Sequence, residues 1–183
     1  MLKNTTSRFG SVSQLFHWLI FILFTLQFLL IWRKDALPKG SPEKLSYMIM
    51  HKSIGVTVFM LGILFILWRM MNVQPTPPAS QSRWKLIAAT MVHKSLLTLM
   101  VLMPLVGYLL SCAAGKAVSF FGLFTLPSLV PENKYLASIM DTAHGTLAVL
   151  ICILVGIHVL AALQHHFIIK DNVLKRMLPF ISN

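Results

Sequence analysis

Between Thr142 and Ile169 the chain runs twenty-eight residues without a Lys, Arg, Asp or Glu, yet the run holds four histidines, His144, His158, His165 and His166. At about 1.5 Å per residue it makes roughly 42 Å of helix, enough to cross a hydrocarbon core of about 30 Å. His144 and His158 are fourteen residues apart. At about 100° per residue they fall within roughly 40° on one face, about 21 Å apart along the axis. One helix therefore offers an imidazole near each side of the membrane, both pointing the same way. Ala148, Ile151, Val155 and Ala162 share that face and Gly145 and Gly156 flank it, a stripe against which something wide and flat can lie. A single imidazole in a membrane helix can simply hydrogen-bond a neighbouring helix. Two on one face point to a site, because intramembrane polar groups are costly.

The rest of the composition agrees with a membrane setting. The chain of 183 residues is 56% hydrophobic and 11% charged, with a mean hydropathy of +0.75, which reads as a polytopic membrane protein of one domain, residues 1–183. The formal charge of +11 would raise nucleic acid as a partner in a soluble protein. Here the basic residues sit between apolar runs, so the lipid bilayer surface accounts for them and no nucleic acid is expected. Cys112 and Cys152 fall in or at the end of apolar runs and read as packing thiols. The first apolar run, Leu15 to Trp32, is eighteen residues long with no small-residue cleavage site after it, and reads as a span rather than a cleavable signal.

In chain order, a short polar tail (1–13) leads into a first span at about 13–32, with His17 and Trp18 near its start. A basic loop broken by Pro38 and Pro42 follows. The second span, about 47–71, carries His51 and Lys52 near its entry and Trp68–Arg69 at its exit. His51 shares a face with Gly55, Val58 and Gly62, which leaves either a groove for a bulky ligand or a close helix–helix contact. Residues 72–82, with Pro75, Pro77 and Pro78, form the clearest linker. The third span, about 84–114, holds His93 and is expected to kink at Pro104. The connection 114–141 contains Phe120, Phe121, Leu123, Phe124 and Leu126, too apolar for a free loop, and is expected to lie on the membrane surface. The fourth span is about 142–169, and a basic tail closes the chain. The fold expected is all-α, an integral membrane four-helix bundle.

Four spans put both termini on one side. That side carries nine Lys/Arg (Lys3, Arg8, Arg69, Arg83, Lys85, Lys94, Lys170, Lys175, Arg176) and the other seven (Arg33, Lys34, Lys39, Lys44, Lys52, Lys116, Lys134). The excess favours cytoplasmic termini. The acids are more lopsided, with Asp35, Glu43, Glu132 and Asp141 outside and only Asp171 inside. Alternating helix direction then sorts the histidines by depth. His51 and His144 lie near the outer face, where only they can meet. His17, His93 and His158 lie near the inner face, so His158 can meet either His17 or His93. His165 and His166 sit at the inner surface. Paired imidazoles from separate helices, with small residues beside them, suit bis-histidine ligation of haem. A structural zinc wants four nearby N or S ligands, and no glycine-rich phosphate loop supports a nucleotide.

The chain resembles the bacterial cytochrome b561 family, related to the cytochrome b subunits of nickel hydrogenases. The resemblance rests on Phe16-His17-Trp18-Leu19, on His51 with Gly55 after it, and on Ile66-Leu67-Trp68-Arg69-Met70 leading to Pro75-Thr76-Pro77-Pro78. It continues through Leu102-Met103-Pro104-Leu105-Val106-Gly107 and the ending His144…His158…His165-His166…Lys170-Asp171-Asn172…Leu174-Lys175-Arg176-Met177. It covers almost the whole chain and is similar in particular to the short superoxide oxidase branch. The family implies two haem b groups, one held by His17 and His158 on the inner side and one by His51 and His144 on the outer side. It implies a bacterial inner-membrane protein that takes electrons from superoxide at the periplasmic face and passes them to ubiquinone. The chain departs from the family in its loops: the long outer connection around Gly115 to Tyr135 shows no motif of its own.

Two functions follow. As an enzyme, a superoxide:ubiquinone oxidoreductase needs an exposed haem edge and a cationic approach for the anion. Lys34, Lys39, Lys44, Lys52, Lys116 and Lys134 are the candidates, Lys52 first among them because a helix holds it beside His51. At the inner end His93 and His165 are free to hydrogen-bond a quinone and deliver protons, although His165 and His166 also suit contact with lipid headgroups. The alternative is a haem-bearing relay subunit that docks a separate redox protein and has no substrate site of its own.

Overall fold

Four long helices are built by the four apolar runs, since a backbone in lipid must satisfy its own hydrogen bonds. The computed structural model describes residues 1–78 and 81–179, so Ala79 and Ser80 of the proline-rich linker lie outside the described residues. The helices are α1 (Ser11–Ala36), α2 (Glu43–Met70), α3 (Arg83–Ala113) and α4 (Lys134–Gln164). A π-helical turn, His165–Ile169, continues α4, and all four segments are long and apolar enough to cross a membrane. The chain is a multi-pass membrane protein. Its outward side chains are apolar, as with Leu64 at 52% and Leu160 at 68% exposure, which in lipid carries none of the penalty it would in water. The buried core is correspondingly small, centred on Ile54, Val58 and Met100 between α2 and α3.

Three boundaries differ from those expected. Helix α4 begins at Lys134 rather than Thr142 because Asn133 caps it, its side chain accepting from Leu136 N at 3.0 Å. Asp141, which looked like the end of a loop, is an exposed residue on that helix. Helices α1 and α2 likewise begin or end in charged residues, Lys34 and Asp35 in one and Glu43 and Lys44 in the other. Pro104 sits inside α3, which runs on to Ala113. Within the connection between α3 and α4, β1 (Val118–Phe120) and β2 (Phe124–Leu126) pair antiparallel, Ser119 opposite Thr125. This ribbon is the one departure from all-α among the described residues.

The ribbon marks one end of the bundle. It is pinned to α2 by Ser53, whose fully buried hydroxyl lies 3.1 Å from Ser119 O and accepts from Phe121 N at 2.8 Å. At the opposite, tail end, both termini and the linker are woven together. Thr76 N donates to Thr6 O at 2.8 Å, Arg8 donates to Leu178 O and Arg176 to Thr76 O. Trp18 Nε1 donates to Met177 O at 2.9 Å. Asn4, buried, donates to Val73 O and accepts from Gly10 N and Ser13 Oγ. The sequence reads these stretches as two tails and a linker. The structure makes them a cap.

Neighbours in sequence are neighbours in space, α1 on α2, α2 on α3 and α3 on α4. No Cα of α4 comes within 8 Å of a Cα on α1 or α2 among the described residues. The bundle is open between its last helix and its first two.

Candidate functional site

Across that opening α4 meets α1 and α2 through imidazoles. His17 of α1 and His158 of α4 have ring centroids 6.1 Å apart, near the tail end. His51 of α2 and His144 of α4 have theirs 6.2 Å apart, near the ribbon end. Two imidazoles on opposite sides of one metal ion, each with its nitrogen about 2 Å from the metal and its ring centre about 1 Å beyond, have centroids roughly 6 Å apart. Both pairs have that spacing. His17, His51 and His144 each keep a buried ring nitrogen, Nδ1, with no hydrogen-bond partner among the described residues. No group of three or more His, Cys, Asp or Glu able to hold a metal is present among them. A metal held by two protein nitrogens must bring its remaining donors with it, as the iron of a porphyrin does.

The ribbon-end pair opens onto a cavity of about 390 Å³. Gln27, Lys34, Lys52, Gly55 and Gly107 line it with the two histidines. The two readings of the glycines on α2 divide between them. Gly55 borders the cavity, whereas a Cβ on Gly62 would meet Met100 Cγ at 3.2 Å, a close α2–α3 contact. Gly107 of α3 admits His144: a Cβ there would lie 2.7 Å from His144 Cε1. Lys52 reaches sideways, its Nζ donating to Ala117 O at 3.0 Å, and Lys34 pairs with Asp35 at 3.0 Å.

At the tail end His93 lies exposed on α3 with its ring 5.2 Å from that of His158, closer than two imidazoles on opposite sides of one metal ion would be. His165 stands at the start of the π-turn and is held on both sides. Gln81 Nε2 lies 2.8 Å from its Nε2 and Asp171 Oδ2 2.5 Å from its Nδ1. With the amide as donor, Nε2 accepts and Nδ1–H donates to the carboxylate. Lys170, with φ 58°, turns the chain back so that Asp171 reaches the histidine. His166 packs on Phe167 and takes no part in this network.

The family model for prokaryotic cytochrome b561 matches residues 8–180. The chain belongs to the prokaryotic cytochrome b561 family. It is 36% identical over 181 residues to cytochrome b561 homolog 2 of Escherichia coli (strain K12), covering 96% of this chain and 93% of the relative. It is 31% identical over 177 residues to cytochrome b561 homolog 1 of the same organism, covering 94% and 98%. It is 29% identical over 165 residues to the probable superoxide oxidase CybB of Yersinia pestis, covering 89% and 91%. Membership makes this cytochrome b561 a membrane redox protein that moves electrons across the bilayer on b-type haem.

Sequence reasoning passed over Gln27 and Gly107 as members of the site. Gln27 was visible as an amide in the middle of an apolar span, ten residues beyond His17. That is about 15 Å along the helix, at the depth of the other pair.

Proposed function

We propose that this cytochrome b561 is a dihaem superoxide:ubiquinone oxidoreductase of the bacterial inner membrane, with both termini cytoplasmic and the ribbon end in the periplasm. The observation that carries the two-haem reading is the pair of imidazole contacts, at matching spacing, that join α4 to α1 and α2 where no Cα atoms of those helices come within 8 Å among the described residues. His51 and His144 would hold the periplasmic haem, and His17 and His158 the cytoplasmic one. When bound, haem iron supplies one-electron transfer between its ferric and ferrous states.

Superoxide leaves as oxygen after losing one electron, with no proton moved, so the periplasmic end needs a cationic approach rather than an acid or base. Lys34 and Lys52 on the cavity wall supply positive charge there. Ubiquinone takes two electrons and two protons, so two superoxides are consumed for each quinol formed and the cytoplasmic end must deliver protons. His165, oriented by Asp171, is built for that task, with Gln81 in the position a quinone oxygen would take. His93, exposed beside His158, is the second candidate. Similarity to a protein named as a probable superoxide oxidase supports the choice of donor.

The test supplies isolated protein with enzymatically generated superoxide and a short-chain ubiquinone. Quinol should form at one per two superoxides, and His51→Ala should abolish it. Haems that accept electrons from a chemical donor while superoxide yields no quinol would sink the proposal and favour a relay subunit serving a redox protein partner.

A further inference from the structure

Gln27 is a half-buried residue whose amide oxygen is left without a partner among the described residues. Its Nε2 donates to the main-chain oxygen of His51 at 3.0 Å. Its Oε1 is buried and has no partner among the described residues, and Nδ1 of the same His51 is likewise buried and unpaired. Both residues line the ribbon-end cavity with His144. The amide can sit there because Gly55, one turn beyond His51, has no side chain: a Cβ at that position would lie 3.2 Å from Gln27 Nε2. Because the nitrogen is committed to a carbonyl, the free atom is an oxygen, and it can only accept.

A neutral imidazole that gives one nitrogen to iron carries its proton on the other, and that N–H needs an acceptor in a low-dielectric interior. The one other buried, unpaired side-chain amide oxygen among the described residues is Gln74 Oε1, in the linker at the opposite end of the bundle.

We propose that Gln27 is a positioning residue for His51, its amide oxygen accepting from the ring N–H of that histidine and thereby setting the potential of the ribbon-end haem. This rests on the assignment of His51 as a haem ligand. An acceptor behind the imidazole makes it a stronger electron donor to iron, which favours the ferric state and lowers the potential. The amide thus grips His51 twice, by its main chain and by its ring.

The experiment is a redox titration of the purified, haem-loaded full chain, followed optically and by electron paramagnetic resonance. Gln27→Leu removes the acceptor and should raise the potential of the ribbon-end haem. Gln27→Glu offers an anionic acceptor of the same shape and should lower it. Each shift should be about tenfold in the oxidised-to-reduced ratio at fixed poise, roughly 59 mV for one electron, and the tail-end haem should not move. Gln27→Met, similar in length without the acceptor, carries the same expectation as the leucine variant, so a loading defect in one leaves the sign readable in the other. His51→Ala is measured in parallel. If it keeps both haems, the ligand assignment fails. If it loses the ribbon-end haem while the Gln27 variants keep wild-type potentials and g-values, or shift in one common direction, the ligand assignment stands and the role of Gln27 is overturned.

Discussion

His144 packs close against α3 because residue 107 has no side chain, and His51 is steadied by an amide from a third helix. At the scale of the residue the site is therefore a set of imidazoles plus the small or polar groups that admit them. The expected haem content follows. Pyridine haemochrome analysis should give about two haems per chain, both with bis-nitrogen ligation. His51→Ala or His144→Ala should lose the ribbon-end haem alone, and His17→Ala or His158→Ala the tail-end haem alone. Loss of a haem in His93→Ala with both kept in His17→Ala would transfer the ligand role to His93, which the 5.2 Å ring spacing argues against. The histidines were legible in the sequence because an imidazole in an apolar run has few innocent uses. Gly107 and Gln27 were not, since each acts on a side chain of another helix, and no periodicity within one helix reveals such a partner.

At the scale of the element, the four spans were legible because each needs about twenty apolar residues and nothing else in the chain has them. Their ends were not, because polar helix turns outside the hydrocarbon look like loop. Asn133 and the eight residues before Thr142 show this: the cap is a single side-chain contact and the turns after it carry Lys134 and Asp141. The ribbon was hidden for another reason. Its hairpin turns at Phe121 and Gly122, with φ 50° and 78°, and a phenylalanine at positive φ breaks the usual turn signature. What holds Phe121 there is Ser53 on α2, accepting from its N–H. Ser53→Ala leaves that donor unpaired and should cost about 1–3 kcal/mol. The change should appear as faster hydrogen exchange and easier proteolysis between Gly115 and Asn133, with haem content unchanged. Exchange rates equal to wild type would mean the ribbon is held by its apolar contacts alone.

At the scale of the whole molecule, charge is distributed unevenly between the two ends. The ribbon side carries seven Lys/Arg against four acids, a net of +3, so its field is modest and local cations should outweigh the total. If superoxide reacts there, its rate of haem reduction should fall as salt rises from 0.01 to 0.1 M, where the Debye length shrinks from about 30 to about 10 Å. Lys52→Glu should lower that rate and leave reduction by a neutral donor, and both haems, intact. A superoxide rate indifferent to both salt and Lys52 would speak against chemistry at this face. Lys52 is also spent on Ala117 O, so its charge acts from a fixed point rather than from a roaming side chain. The open flank of the bundle bears on how the protein is made. With α4 held by α3 alone among the helices, a flat apolar group need not be threaded in from either end or enclosed while the chain is being inserted. If the paired histidines hold such a group, it would enter edgewise from the surrounding lipid once the four helices stand upright, and its arrival would be the closing step of assembly, the crossbar that ties the last helix to the first two.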